Sequence, residues 1–323
     1  MSFAWIREPG KKSKVFSLLE SPIGDFYFAQ FDGPVVQLLI LDVIKEDCSK
    51  WVSENLILSD LPNINPKDSH VYDDFLKIVS RASEVCSNGV LEKVVLSRTK
   101  AHKLISVSPI NVFDRLCQEY PLATIYMISI DGHSLWMGAT PECLLELNGK
   151  RLKTMSLAAT RPVNSKGRWG IKEREEQHLV TRDIVHMLDA LGCEDISVDG
   201  PKILPAGPVE HLCSSIEALR PIGPAITMIK SLHPTPAVGG LPRAQSRAFI
   251  VQHENYDRSF YSGYFGWNKD KRSIFYVNLR CMEIGSDGLI CYAGAGITSK
   301  SNAKDEWVET EEKLKTLERV IVG

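Results

Sequence analysis

The sequence lacks the features that mark membrane and nucleic-acid-binding proteins. Its 323 residues have no basic excess, since the formal net charge is −2, so an electrostatic surface for nucleic acid or anionic lipid is not expected. No apolar run approaches the ~20 residues that span a bilayer. The N-terminus has neither the basic start nor the long apolar region of a signal peptide. We therefore expect no nucleic-acid partner and no membrane.

Cysteine pairs at metal-binding or redox spacing are also missing. None of the eight cysteines belongs to a C-x-x-C pair, which disfavours a zinc site and a disulfide framework. Several stand in apolar runs such as residues 143–145, where buried reduced thiols are usual. Because reduced thiols are typical of the cytosol, the sequence predicts a cytoplasmic protein. With 44% hydrophobic and 24% charged residues, the composition suits a globular protein with a sizeable core.

A glycine-rich stretch followed by an acidic helix stands near the C-terminus. Residues 294–297 read Gly-Ala-Gly-Ile after an apolar run and predict a turn whose backbone amides suit an anion. In the helix that follows, Glu306, Glu309 and Lys313 fall at i, i+3 and i+7, so they share one face. Two interpretations stay open for this stretch alone. It holds a metal ion and an acidic substrate, or it is a solvated, charged last helix.

Two ionisable residues occur within otherwise apolar strands. Lys93 begins the predicted strand at residues 93–98, where its apolar neighbours favour burial, although a lysine at a strand start is usually solvent-facing. Glu142 follows Pro141 between two apolar runs. It is either an exposed loop residue or a buried acid, and burial would raise its pKa and keep a proton available.

A long helix is predicted at about residues 172–191, with three glutamates in its first turns. Acids at this end complement the helix dipole, which is a sufficient structural reason for them. Glu176 and Val180 are i and i+4, so Glu176 lies nearest the buried face and is the best ligand candidate of the three. Further on, Arg280 falls within a predicted strand at residues 274–284. An arginine there needs a carboxylate, from the protein or from a substrate.

Eight separated segments together resemble the chorismate-utilising enzymes, and most closely the isochorismate synthases. The resemblance covers about residues 68–323, whereas residues 1–67 contribute little to it. Each segment is weakly specific alone, but their joint order and spacing make a chance match very unlikely. The segments are residues 93–98 (KVVLSR), 138–144 (GATPECL), 157–160 (LAAT), 172–180 (KEREEQHLV), 232–240 (LHPTPAVGG), 278–280 (NLR), 294–297 (GAGI) and 306–313 (EWVETEEK).

The resemblance implies a fold, a ligand and a reaction. The fold is a single α+β domain over residues 1–323, with two antiparallel sheets packed face to face as a β-sandwich core and helices outside. Enzymes of this family bind Mg²⁺ and chorismate, and isochorismate synthases add water at C2 of the ring and expel the C4 hydroxyl. Their product feeds menaquinone, siderophore or salicylate biosynthesis. The resemblance further implies a monomer without a glutamine amidotransferase subunit.

Carried over by motif, the resemblance also implies site residues. Lys93 looks like the general base that activates water, and Glu142 looks like the acid that protonates the departing hydroxyl. Glu176 and Glu309 resemble the Mg²⁺ ligands, with Glu306 acting through water, since magnesium takes few carboxylates and keeps several waters. The implied substrate-binding residues are Ala159, Thr160, Ala237, Arg280, Gly294, Gly296 and Lys313.

Two departures from the family pattern keep alternatives open. The family usually has glycine where Ala159 stands, and an added methyl would narrow the pocket, which motivates a non-catalytic chorismate-binding protein as one alternative. The family often has histidine where Gln177 stands, which leaves the choice between Glu175 and Glu176 open. Among sister branches, anthranilate and aminodeoxychorismate synthases do not fit, whereas salicylate synthase, which also eliminates pyruvate, is the second alternative.

Overall fold

The computed structural model describes residues 1–103, 108–163, 165–269 and 271–321. Within these ranges it contains sixteen strands and seven α-helices. The strands pair antiparallel throughout the described ladder. They are β1 (Ser2–Arg7), β2 (Lys14–Glu20), β3 (Phe26–Ala29), β4 (Val35–Ile44), β5 (Lys93–Lys103), β6 (Thr124–Ser129), β7 (Leu135–Thr140), β8 (Cys143–Asn148), β9 (Arg151–Pro162), β10 (Glu194–Ala206), β11 (Val209–Leu219), β12 (Gly240–Leu241), β13 (Tyr264–Lys269), β14 (Arg272–Val277), β15 (Cys281–Ile284) and β16 (Gly288–Ile297).

The helices lie outside the strands and bury one apolar face each. In α4, Val180, Ile184 and Leu188 are buried at i, i+4 and i+8, which is the spacing of one helix face. No helix of the described ranges combines the length and the hydropathy needed to cross a membrane. The helices are α1 (Cys48–Asn55), α2 (Tyr72–Ser87), α3 (Pro109–Glu119), α4 (Ile171–Ala190), α5 (Ala225–Leu232), α6 (Arg243–His253) and α7 (Ala303–Ile321).

The sheet folds over on itself to form two facing layers. Its strands run in the order β10-β11-β9-β8-β14-β13-β3-β4-β2-β1-β6-β7-β15-β16-β5-β12. Tyr126 of β6 and Phe265 of β13 have ring centroids only 4.3 Å apart, although five strand spacings would separate them by roughly 24 Å in a flat sheet. The predicted α+β fold with packed antiparallel layers is therefore confirmed, and hydrogen bonding continues from one layer into the other.

Residues 1–67, which gave no functional prediction, form the centre of this sheet. They supply β1 to β4, which lie between β13 and β6 in the strand order. Phe28 of β3 stacks on Phe260 with centroids 3.9 Å apart, inside the apolar cluster between the two layers. The N-terminal segment therefore joins the two layers, and removing it would open the core.

Three predicted local structures are wrong. Residues 294–297 are not a turn but the end of β16, paired with β5. The polar residues at 156–162 predict the start of a loop, but they are not a loop, because they belong to β9 and pair with β11. The strand predicted at residues 274–284 is two strands, β14 and β15. It is interrupted at Arg280, whose φ of 46° breaks the extended conformation.

Burial between the layers predicts a large stability difference between two N-terminal substitutions. Phe28 is 1% exposed and Leu19 is 55% exposed. We expect Phe28→Ala to lower the free energy of unfolding by about 3–5 kcal/mol, and Leu19→Ala to change it by less than about 0.5 kcal/mol. Urea denaturation measures both. Equal effects would contradict the placement of β3 in the core.

Candidate functional site

A cavity between β9, β16, α4 and α7 brings together most of the predicted site residues. Lys93 and Glu306 stand just outside its lining. Lys93 contacts Glu176, and Glu306 lines a neighbouring groove together with Thr160 and Glu309. The predicted residues that line the cavity are Glu142, Ala159, Thr160, Glu176, Ala237, Arg280, Gly294, Gly296, Glu309 and Lys313.

Lys93 and Glu176 form a buried ion pair at the back of the cavity. Lys93 begins β5 with a side chain 1% exposed, so the solvent-facing alternative is wrong, and its Nζ lies 2.9 Å from Oε1 of Glu176. Burial alone would raise the pKa of the Glu176 carboxyl, but Lys93 and Lys172 together hold it below its usual value. Glu176 is therefore ionised, and its charge is balanced within the protein.

Gly296 gives this ion pair the room it needs. A Cβ atom at this position would lie 2.3 Å from Oε1 of Glu176 and 2.9 Å from Cε of Lys93, distances that no packed side chain tolerates. Two residues earlier, the carbonyl oxygen of Gly294 accepts a hydrogen bond of 2.8 Å from Nζ of Lys313. Gly296 thus leaves room for the ion pair beside β16, whereas Gly294 contributes a carbonyl oxygen to Lys313.

Glu142 is a buried acid. It lies between β7 and β8 and is 2% exposed, so the exposed-loop alternative is wrong. Burial raises the pKa of Glu142 to about 8, against the opposing effects of Lys93 and Arg280. Within the described residues its carboxyl takes part in no salt bridge. At neutral pH this side chain therefore keeps its proton and can donate it.

Arg280 faces the same cavity without a carboxylate partner in the described part of the chain. Its Nη2 donates a hydrogen bond of 2.8 Å to Nε2 of His211, and among the described residues its Nε has no hydrogen-bond partner. The guanidinium is 8% exposed, and a buried cation in this state favours an anionic ligand. The carboxylate that the sequence led us to expect for Arg280 is thus not provided by the described residues.

His211 belongs to the site but was not predicted from the sequence. Its Nδ1–H donates to the carbonyl oxygen of Ala159 at 2.9 Å, since its Nε2 accepts from Arg280. Burial, with the charges of Arg280 and Lys313, holds the pKa of His211 well below its ordinary value. The sequence gave no signal for this role, because the two partners lie 52 and 69 residues away along the chain.

Ala159 occupies a β-bulge with a backbone conformation that favours glycine. His211 pairs with Thr160 and Leu212 pairs with Ala158, which leaves Ala159 as the extra residue of β9. Its φ of 61° costs a non-glycine residue roughly 1 kcal/mol or more. The bulge turns the Ala159 carbonyl towards His211, so the backbone here fixes the orientation of the imidazole.

The charged face of α7 points into the protein, and the alternative of a solvated helix is wrong for it. Glu306 is 1% exposed and is paired with Lys172 of α4. Burial and the charge of Glu309 raise the pKa of Glu306 to about 7, against the opposing effect of Lys172. Glu309 itself lies 2.6 Å from Nζ of Lys313. Burial lowers the pKa of Lys313, although Glu309 acts in the opposite direction.

Glu176 and its neighbours Glu175 and Gln177 on α4 have different surroundings. Glu175 is exposed and pairs with Lys300 at 2.6 Å, so it does not reach the cavity. The buried Gln177 donates hydrogen bonds of 3.0 Å to the hydroxyls of Ser156 and Ser214 and thereby attaches α4 to β9 and β11. Of these three residues, Glu176 is the one that faces the cavity.

Three glutamates, Glu176, Glu306 and Glu309, are expected to hold Mg²⁺. Glu176, Glu306 and Glu309 each pair with a lysine, and the described ranges hold no group of three or more His, Cys, Asp or Glu side chains already arranged around a metal. The donor set nevertheless fits, because Mg²⁺ prefers carboxylate oxygens. A cation would also relieve the repulsion between Glu309 and Glu306.

These features define a class of protein, namely a sandwich fold with a buried cavity lined by charged side chains. The model of the chorismate binding enzyme family matches residues 40–322, and the chain belongs to this family. It is 32% identical to the isochorismate synthase MenF of Escherichia coli over 257 residues, which cover 75% of this chain and 59% of that protein.

A further relative and a solved structure are also similar to the chain. A putative isochorismate synthase MenF of Mycobacterium tuberculosis is 31% identical over 271 residues, 76% of this chain and 72% of that protein. The crystal structure of a putative isochorismate synthase, DhbC, from Bacillus anthracis covers 99% of this chain and 96% of its own, with a TM-score of 0.83 and 21% identity. That likeness shows the shared fold.

The close contact at Gly296 predicts that a single methyl group disturbs the site. We expect Gly296→Ala to lower the free energy of unfolding by roughly 1–3 kcal/mol, because the buried ion pair must move. Gly223→Ala is the control, since a Cβ atom there meets nothing within 4 Å. Urea denaturation compares them, and equal stability of the two variants would contradict the packing described here.

Proposed function

We propose that this protein converts chorismate to isochorismate. The proposal rests on two residues that line one buried cavity. Glu142 is a protonated acid, and Arg280 has no carboxylate partner among the described residues. Family membership and relatives named isochorismate synthases support it. The alignment spans only 59% of the E. coli relative, so we assign the activity of that whole protein to this chain as a proposal.

The charges of the cavity suit a dianionic substrate. Chorismate has two carboxylates, and Arg280 would bind one of them by charge-assisted hydrogen bonds. Lys313 lines the same cavity, where it contacts Glu309 and the Gly294 carbonyl. The ring would then lie against Ala159, Thr160 and Ala237, which also line the cavity.

The proposed chemistry uses one base and one acid. Water adds at C2 of the ring and gives its proton to Lys93, while the C4 hydroxyl leaves as water with the proton of Glu142. One C–O bond forms and one breaks, so the atoms balance and no redox step is needed. Lys93 is paired with Glu176 as an ammonium group, with 2.9 Å between Nζ and Oε1, so it must leave this carboxylate and release a proton to solvent before it can accept one from the attacking water.

Mg²⁺ belongs to the proposal as a cofactor held by Glu176 and Glu309, with Glu306 acting through water. When bound, it would neutralise the ring carboxylate of the substrate. The assignment of these three ligands rests on their donor chemistry and on their position around one end of the cavity. The pathway of the product, menaquinone or siderophore, stays a prediction, as do the monomeric state, the absence of an amidotransferase subunit and the cytoplasmic location.

The proposal is tested by NMR of the protein with chorismate, with and without Mg²⁺. We expect isochorismate to form only with Mg²⁺, and no pyruvate to appear. Pyruvate and salicylate forming together would assign the chain to the salicylate synthases. Chorismate that binds but is never converted would identify a non-catalytic binding protein, in agreement with the strain at Ala159.

The base assignment predicts the effect of removing Lys93. We expect Lys93→Ala to lower kcat by about 10²–10⁴-fold, the usual contribution of a general base. Lys100→Ala is a matched control, since Lys100 is also on β5 and pairs with glutamates, but with Glu311 and Glu318 away from the cavity. Steady-state kinetics measures both. Near-normal turnover of the Lys93 variant would reject the assignment.

The acid assignment predicts a pH limit. Glu142 holds its proton below its pKa of about 8 and loses it above, so we expect kcat/KM to fall with rising pH above that value, about tenfold per unit. In Glu142→Gln the side chain has no proton to transfer, and the remaining activity should not show this fall. An alkaline limb that persists unchanged in the variant would show that another group causes it.

A further inference from the structure

Lys172 pairs with Glu306, a glutamate of the proposed metal site, and is itself partly exposed to solvent. It stands in the first turn of α4, and its Nζ donates a hydrogen bond to Oε1 of Glu306, 134 residues further along the chain. Lys172, Glu306 and Glu309 line one groove next to the cavity. A cation that approaches these carboxylates along the groove would therefore meet Lys172.

The three lysine–glutamate pairs around the site differ in how easily they can separate. Lys93 is 1% exposed and Lys313 is 11% exposed, whereas Lys172 is 22% exposed. A lysine that leaves its carboxylate needs water around its ammonium group, because an uncompensated buried charge is costly. Its four-carbon chain is long and flexible enough to swing outward. Of the three lysines, Lys172 can be released at least cost.

The charges around Lys172 explain why it pairs with Glu306. Burial alone would lower its pKa, but Glu306, Glu176 and Glu309 more than offset this effect and raise it. Lys172 therefore stays positively charged beside these three side chains. Without it, Glu306 would lose its paired cation, and only Glu309 would keep one, Lys313, so the repulsion between the two glutamates would be offset less.

We propose that Lys172 is a built-in counter-cation of the site and is exchanged for the divalent cation. When a divalent cation held by Glu176 and Glu309 binds beside Glu306, Lys172 leaves Glu306 and its ammonium group moves into solvent, because two cations close to one carboxylate repel each other. This inference rests on the proposed function, since it concerns the metal of the same reaction. It assigns to Lys172 a positioning role and no contact with the substrate.

Amine labelling tests the exchange directly. The protein is treated with an acetylating reagent at increasing Mg²⁺ concentration, and the acetylation rate of each lysine is measured by mass spectrometry. We expect the rate at Lys172 to rise about tenfold, the factor that corresponds to losing a hydrogen bond to a charged partner. Lys300 is the internal control, since it lines the same groove but pairs with the exposed Glu175. Its rate should not change.

Two matched variants calibrate the measurement. Glu306→Gln removes the partner of Lys172, so its labelling should be fast without Mg²⁺ and insensitive to it. Glu175→Gln should release Lys300 only. Binding of Mn²⁺, followed by electron paramagnetic resonance, shows independently whether a metal is bound.

The outcomes separate this inference from the proposed function. Bound Mn²⁺ with unchanged or slower labelling of Lys172 would overturn the exchange and leave the metal site intact. No bound Mn²⁺ would overturn both the exchange and the metal site, whereas isochorismate formation is judged separately by NMR.

Discussion

Burial of charge is the constraint on which the site depends. A charged side chain enclosed by strands must be paired or lose its charge, and here Lys93–Glu176, Lys313–Glu309 and Lys172–Glu306 meet this requirement as pairs. Glu142 meets it in the other way, by keeping its proton. Arg280 meets it only in part, through a neutral histidine. The two residues outside the ion pairs, Glu142 and Arg280, are the proposed acid and a proposed carboxylate-binding residue.

The backbone provides the positions that these charges require. Gly296 allows the Lys93–Glu176 pair to lie against β16, and the bulge at Ala159 turns a carbonyl towards His211. At Arg280 the positive φ ends one strand and directs the side chain to the cavity instead of into the sheet. Each feature departs from regular strand geometry, and such departures often occur at functional sites. The surrounding ladder of paired strands keeps them in place.

Much of the fold was predictable from the sequence, because its signals are local or lie within recognisable segments. The apolar spacing of α4 gave the helix and placed Glu176 on its inner side, and the spacing of α7 put its acids on one face. The edge strand β10 was missed, because it is mostly exposed and its polar residues show no alternation. The polar residues at 156–162 favour a loop in the sequence. They form a strand because they pair with β11, which is distant along the chain.

The site was predictable in its residue types but not in its pairing. Lys93, Glu142, Glu176 and Arg280 were expected to meet in one place, and the structure brings them there. Whereas Lys313 and Glu309 are four residues apart on one helix, the Lys93–Glu176 and Lys172–Glu306 pairs depend on contacts between α4, α7 and β5, which no local pattern records. For the same reason the bond of His211 to Arg280 had no counterpart in the sequence.

The central claim is that Glu142 is a neutral acid among ionised pairs, and infrared spectroscopy tests it most directly. A protonated carboxyl group has a carbonyl stretch that a carboxylate lacks. We expect the protein at neutral pH to show this band and the difference spectrum against Glu142→Gln to assign it to Glu142. A wild-type spectrum without the band, or one whose band is unchanged by the substitution, would show that Glu142 is ionised and would contradict the account.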